Sequence, residues 1–319
     1  MTRPPRGSVL TSVLDSAMDR LVVPGYSRLG PMVRRRWWPA DPEPFDGTPH
    51  IVVTGGSSGL GRATAAGLSA LGAVVHLVGR SAERLESSAA TIRQAVPGSE
   101  LELHVCDIGD LDAVAELAGE LPETVHGLVH SAGLVPPERA LSPQGHELAY
   151  ATHVLGPFAL TVALRQRLSG GRVIWVSSGG MYSAGLGFDL ESSSGKYSGV
   201  RAYARTKRMQ VVIAQQLAER FGRDPVVHSM HPGWASTPGL SDSLPGFDRI
   251  TRPILRTAEQ GADTIVWLAA AEEAGRSTGL FWCDRRPRPT HYLPWQRDDP
   301  AAVEHLWSSV GAATGLDLR

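Results

Sequence analysis

HIVVTGGSSGLGRATAAGL, residues 50–68, decides the fold of this chain. Its first five residues are almost wholly apolar, the texture of a strand covered on both faces. The strand runs straight into a turn carrying Gly55, Gly59 and Gly61, with Ser57, Ser58 and Leu60 among them, and a helical pattern follows from about residue 60. Glycines at such a turn let the backbone bend tightly and come close to a pyrophosphate, whose charge then rests at the positive end of the helix. A P-loop would need Gly-Lys-Ser/Thr here, so nucleoside triphosphate hydrolysis is disfavoured. The stretch reads as a dinucleotide-binding turn.

The same texture continues outward. Short apolar runs recur at 73–78, 101–105, 126–130, 172–177, 226–230 and 279–283. Helical patterns fill the gaps at about 60–71, 82–95, 110–120, 145–168, 200–221 and 258–271, with a terminal helix near 300–310. This alternation predicts an α/β fold with a doubly wound parallel sheet, the Rossmann fold. The 319 residues are 42% hydrophobic and 20% charged, enough for one large core. They divide into an N-terminal amphipathic helix with a Pro-rich linker (1–48), the main domain (49–290) and a tail with a short helix (291–319).

A net charge of −1 leaves no global basic field to recruit nucleic acid, so no nucleic-acid partner is expected. Two cysteines, Cys106 and Cys283, do not make a disulfide scaffold and fit a reduced, cytoplasmic protein. No window reaches the ~20 apolar residues of a transmembrane helix, and Asp15 and Asp19 interrupt any signal-peptide pattern. Residues 9–21 place Leu10, Val13, Leu14, Ala17, Met18 and Leu21 on one helical face, ahead of a turn-like VPGYSRLGP. Arg34, Arg35 and Arg36 then precede Trp37 and Trp38. Basic residues beside tryptophans suit a weak peripheral membrane contact through residues 9–38 or a partner surface. The simpler reading is a tail whose aromatics pack on the domain while its arginines stay solvated.

The chemistry lies in AYARTKRMQVV, where Tyr203 and Lys207 stand four residues apart and share one helical face. A free tyrosine has a pKa of about 10, too high for proton transfer at neutral pH, and a nearby ammonium favours the phenolate. The pair makes a tuned general acid/base. The buried strand RVIWVSS ends in Ser177 and Ser178, of which alternation lets only one face a cleft. Tyr197 is a rival to Tyr203, since Arg201 lies four residues on. His228 and His231 fall in no metal-ligand pattern and read as structural; no metal is expected.

The pattern TGxxxGxG at 54–61, with a serine-ended strand and Tyr203–Lys207 in the right order after it, resembles the short-chain dehydrogenase/reductase family over roughly residues 50–290. The segments YARTKRMQVV, SMHPGWASTPG and EQGADTIVWLA resemble one branch of that family. The resemblance implies that Ser178 orients the substrate oxygen, that Tyr203 transfers its proton and that Lys207 holds the cofactor ribose. It implies that Asp107 and Ile108 meet the adenine, that Ser131, Ala132 and Gly133 line the cofactor in place of the usual Asn-Asn-Ala-Gly, and that Pro232, Gly233 and Thr237 close around the nicotinamide. Gly79 and Arg80 stand where NAD-dependent members carry an acid; a cation there pairs a 2′-phosphate, so NADP(H) is favoured over NAD(H). His153 takes the place of an asparagine that acts through its main-chain carbonyl, a role histidine fills if the helix keeps a local kink. The implied activity is reversible hydride transfer between nicotinamide and a small-molecule carbonyl or alcohol, with an apolar lid at 240–257 pointing to a lipophilic substrate. Departures at 130, 131 and 153 leave a catalytically silent cofactor-binding scaffold as the alternative. Helices 145–168 and 200–221 are the faces through which the family commonly forms homodimers.

Overall fold

The computed structural model describes residues 9–186, 197–236, 249, 251–293 and 296–316. Three short helices, α1 (Val9–Arg20), α2 (Val23–Tyr26) and α3 (Leu29–Arg34), precede the sheet. Strands β1 (His50–Thr54), β2 (Val74–Gly79), β3 (Leu101–Val105), β4 (Gly127–His130), β5 (Arg172–Val176), β6 (Val226–Met230) and β7 (Phe281–Cys283) run parallel in the order β3-β2-β1-β4-β5-β6-β7. An eighth strand, β8 (Arg286–Arg288), closes the edge antiparallel to β7. The strand order reverses between β1 and β4, so the crevice at their carboxyl ends is where the fold receives a dinucleotide.

Helices α4 (Gly59–Ala70), α5 (Ala82–Ala95) and α10 (Ala258–Ala270) cover one face of the sheet. On the other lie α6 (Leu111–Glu120), α7 (Leu148–Tyr150), α8 (Gly156–Ala163), α9 (Gly199–Phe221) and the C-terminal α11 (Pro300–Thr314). The expected helix at 145–168 is broken: Ala151–Leu155 forms a π-helical turn between α7 and α8. Two sequence features account for the irregularity. Pro157 has no N–H to give the carbonyl of His153 four residues back. Gly156 lies so close to the Ile108 carbonyl that a Cβ there would sit 1.8 Å from its oxygen. α11 covers α8 and α9: Leu306, Trp307 and Val310 are buried, the Trp307 ring meets Phe158 edge-on, and Arg220 stacks on it. Part of the surface of the helices expected to carry a homodimer is thus covered by α11.

The N-terminal segment packs in an orientation that its apolar pattern did not foretell. Asp15, Met18 and Asp19 of α1 are buried, while Val13, Leu14 and Leu21 are exposed. VPGYSRLGP, read as a turn, forms α2 and α3. The expectation that the arginines stay solvated fails at Arg34, which is fully buried, while Trp38 is buried as expected. Arg34 pairs with Asp15 at 2.7 Å and Asp284 at 2.6 Å, Arg256 grips the same Asp284 through two nitrogens at 2.7 and 2.9 Å, and Arg288 pairs with Asp15 at 2.7 Å. These charges exist out of water only because each is paired. Asp284→Asn would leave two buried guanidiniums facing an amide, and we expect a loss of about 3–5 kcal/mol. Calorimetry checks this; a thermal midpoint unchanged from wild type would remove the cluster from the fold's support.

Candidate active site

The cofactor crevice is built from the ends of β1 and β4. Gly55 has φ +71° and lies against the backbone of Ala132, 2.9 Å from where its Cβ would be, so no other residue fits without strain. A Cβ on Gly61 would lie 2.2 Å from the Gly55 carbonyl oxygen, which keeps the first turn of α4 pressed on the loop. The Thr54 hydroxyl oxygen accepts from the Ser131 and Ala132 N–H groups, both at 3.1 Å, and pins the two strand ends together. Ser58, at the N-cap of α4, makes no side-chain cap bond; its hydroxyl accepts from Arg84 at 3.3 Å. The first-turn N–H groups of α4 are thus not capped by that side chain, which suits a phosphate ligand at a helix N-terminus. Ser57 borders Gly79 at the end of β2, and Arg80 follows, largely exposed and 3.9 Å from the Asp107 carboxylate. Asp107 also accepts from the Gly109 N–H at 2.9 Å, a turn contact, while Asp110 caps α6; Ile108, next to Asp107, is buried.

At the other end of the crevice, Pro232 and Gly233 are held from beneath. Arg256 donates to the Pro232 carbonyl at 3.1 Å, and Gly233, with φ +73°, is crowded by Arg256 and the Tyr26 carbonyl. Leu60 and Pro232 converge on Gly261 of α10. Thr237 and lid residues 240–248 and 250 lie outside the described residues.

Ser178, Tyr203, Lys207 and His153 come together between β5 and α9. Ser178 accepts from the Gly180 N–H at 3.1 Å, and Ser177 turns away, donating to the Lys207 carbonyl at 2.7 Å. Desolvation pushes the Tyr203 pKa up, against a hydrogen bond with Ser178 that pulls it down. Lys207 is buried, its Nζ 5.5 Å from the Tyr203 ring centre and donating to the Val176 carbonyl at 2.9 Å. Burial lowers its pKa to about 7. Tyr197 is no rival: its hydroxyl donates to Glu147 at 2.7 Å, and burial with that carboxylate pushes its pKa up.

The His153 ring is fully committed. Nε2 accepts from the Leu134 N–H at 3.0 Å, so Nδ1 carries the proton and donates to the Thr206 hydroxyl at 2.8 Å. Burial, then the nearby Lys207 charge, holds its pKa well below the usual histidine range. Its carbonyl, freed by Pro157, accepts from Gln210 Nε2 at 2.9 Å. The local kink expected at residue 153 is present as the π turn. Thr206 and Gln210 were missed in the sequence, although Tyr203, Lys207 and Gln210 recur at helical spacing on one face of α9. A Cβ on Gly133 would lie 3.3 Å from His153 Nε2 and 3.7 Å from Lys207 Nζ, which is why the strand end needs glycine there.

His130, His228 and His231 are buried in side-chain packing around the site. His130 packs on Trp175 beneath the site and bonds Thr161 at 2.7 Å. His228 accepts from Trp282 at 3.1 Å and faces the Ala274 carbonyl, while His231 packs on Tyr26 and Phe281. Among the described residues no cluster of His, Cys, Asp and Glu is arranged to hold a metal.

Comparison with known proteins agrees with this geometry. The family model described as short chain dehydrogenase matches residues 49–244. Dehydrogenase/reductase SDR family member 12 from Bos taurus is 39% identical over 268 residues, 80% of this chain and 83% of that protein. Human retinol dehydrogenase 12 is 30% identical over 267 residues, 81% and 84% of the two chains. The structure of a short chain dehydrogenase from Shigella flexneri complexed with NADP aligns with a TM-score of 0.61 at 25% identity, over 75% of this chain and 97% of that one. With a serine, a tyrosine and a lysine gathered at the carboxyl edge of a doubly wound sheet and the family model spanning most of that sheet, the chain belongs to the short-chain dehydrogenase/reductase family of oxidoreductases.

Proposed function

We propose that the protein is an NADP(H)-dependent oxidoreductase that reversibly converts a lipophilic carbonyl compound and its alcohol. The observation that carries this reading is the convergence of Ser178, Tyr203 and Lys207 beside the crevice. A nicotinamide bound in the crevice would supply or accept a hydride at the carbonyl carbon. Ser178 orients the reacting oxygen, and Tyr203 gives that oxygen its proton during reduction and takes it back during oxidation. Lys207 has two ammonium protons beyond the one it gives Val176; they serve the ribose, and its charge favours the phenolate of Tyr203. His153 holds the segment at Leu134 through its ring, which supports the π turn and the crevice wall without moving a proton.

Arg80 supports the choice of NADP(H). Its guanidinium stands at the end of β2 with Ser57 and Arg84 nearby and only a long contact to Asp107. Arg80→Ala should raise the Kd for NADPH about 10- to 100-fold, the worth of a charge-assisted hydrogen bond, and change that for NADH less than threefold. Cofactor titrations followed by fluorescence check this, and an equal loss for both cofactors would contradict it. A lipophilic substrate is supported by the apolar residues of the 240–257 segment and by the retinol named for the human relative.

The decisive experiment measures NADPH oxidation and NADP reduction across a panel of long-chain aldehydes, retinoids, steroids and small ketones. Turnover of apolar members above polar ones is expected. Cofactor-induced thermal stabilisation with no turnover of any member in either direction would instead favour a silent binding protein.

A further inference from the structure

The N-terminal helices expose the side chains that a soluble protein ordinarily buries. Val13 is 61% exposed, Leu21 67% and Met32 58%, with Leu14, Val23 and Leu29 beside them. Seven of the exposed large apolar side chains among the described residues fall within residues 13–32. This orientation is enforced, since the opposite face of α1 is locked down by Asp15 and Asp19 in ion pairs with Arg34 and Arg288. The structure thus buries the charged face of α1 and turns the apolar face outward.

Charge identifies the occupant. The only acids in residues 9–36 are those two buried aspartates, while Arg20, Arg28, Arg35 and Arg36 are all exposed around the patch. The sequence adds Arg3 and Arg6 just ahead of α1. A second copy docked on this face would bring like charges together, whereas a surface both apolar and anionic satisfies both features. No helix among the described residues is long and apolar enough to cross a membrane, so an interfacial seat is the geometry left to these elements. We propose that α1–α3 form a docking surface for bilayers containing anionic phospholipid, with Leu14, Leu21 and Met32 in the acyl boundary and the four arginines at the headgroups. Tyr26 of α2 lies against Gly179, next to Ser178, so the docked face adjoins the candidate active site.

Co-sedimentation of the full chain with vesicles tests this. Vesicles containing phosphatidylserine should bind it, pure phosphatidylcholine should bind it far less, and binding should weaken with added salt. Leu21→Ser with Met32→Ser should reduce partitioning about 100-fold, roughly tenfold for each side chain withdrawn from the acyl region. Arg35→Glu with Arg36→Glu should reduce it at least about 25-fold, some fivefold for each arginine removed. Both variants should stay folded, as thermal unfolding checks: Leu21, Met32 and Arg36 are exposed, and Arg35 gives up only a 5.7 Å stacking contact with Trp38. The proposal is overturned by failure to bind anionic vesicles, by equal binding to neutral ones, or by wild-type binding in stably folded variants. It is equally overturned if sedimentation velocity shows a dimer that Leu21→Ser with Met32→Ser dissociates, since a second copy would then cover the patch.

Discussion

Tyr203→Phe should lower kcat by about 10³- to 10⁴-fold and leave the Kd for NADPH within a factor of two. The upper end of the range for general acid catalysis is expected because no neighbouring group can deputise. His153 meets Tyr203 edge-on with ring centres 5.6 Å apart, but both its nitrogens are engaged and burial keeps it neutral. Lys207 already gives a proton to the Val176 carbonyl, and its Nζ stands 5.5 Å from the Tyr203 ring centre. The Tyr197 hydroxyl is tied to Glu147. The phenylalanine removes only the hydroxyl and its bond to Ser178, so the crevice walls stay in place. Single-turnover rates with saturating NADPH, read beside a fluorescence titration of the cofactor, separate chemistry from binding. A variant retaining a tenth of wild-type turnover would remove Tyr203 from the proton path.

The sheet and the site were legible in the sequence to different depths, for physical reasons. Strands buried on both faces leave near-continuous apolar runs, so β1 and β6 fall on the expected residues; β3 does too, although its place at the sheet edge leaves it partly exposed. Tyr203 and Lys207 were legible because helical spacing alone puts them on one side of α9. A kink at His153 was legible from the family resemblance, but Pro157 as its cause and Gln210 as the partner of the freed carbonyl were not, because Gln210 arrives from another helix. The N-terminal segment misled for a deeper reason. Periodicity marks an apolar face but carries no sign, and the arginines that reverse it, Arg34 and Arg288, lie far apart in the chain. Ion pairs between distant residues leave no local pattern, so the burial of Asp15 and Asp19 is visible only once the fold is assembled.

Those same interior polar groups predict an acid-sensitive fold. Burial lowers the pKa of His76 and His228 to about 4 and of His130 and His231 to about 3, and holds His153 well below its usual value. Geometry explains why these rings resist protonation. His153 accepts from the Leu134 N–H, His228 from Trp282 and Leu280, and His231 from Gly233, so an added proton at those nitrogens would face a donor. His76 sits in a chain of three imidazoles, bonded to His50 at 2.9 Å and His104 at 3.0 Å. In the unfolded chain histidine titrates near 6.5, so below that pH the unfolded state binds protons the folded state refuses, and stability falls as pH falls. Five such groups remove about 7 kcal/mol per pH unit once well below 6.5, comparable to the whole stability of a typical domain. Asp284, lowered to about 2, and Asp15 lose their contributions only as pH falls below the ordinary carboxylate range, so they do not set this transition. Lys207, lowered to about 7, acts with the same sign at higher pH: the folded state sheds its proton first, and stability rises between about 7 and 10.5. We therefore expect acid unfolding with a midpoint near pH 5, seen as a cooperative loss of tryptophan fluorescence and far-ultraviolet dichroism. Urea midpoints from pH 8 to 5 should drop with a slope of several protons, and His228→Gln, which keeps a donor for Ala274 and an acceptor for Trp282, should reduce that slope by about one. A chain that stays folded at pH 4, or a slope below two protons, would show that these imidazoles accept protons without leaving the native state.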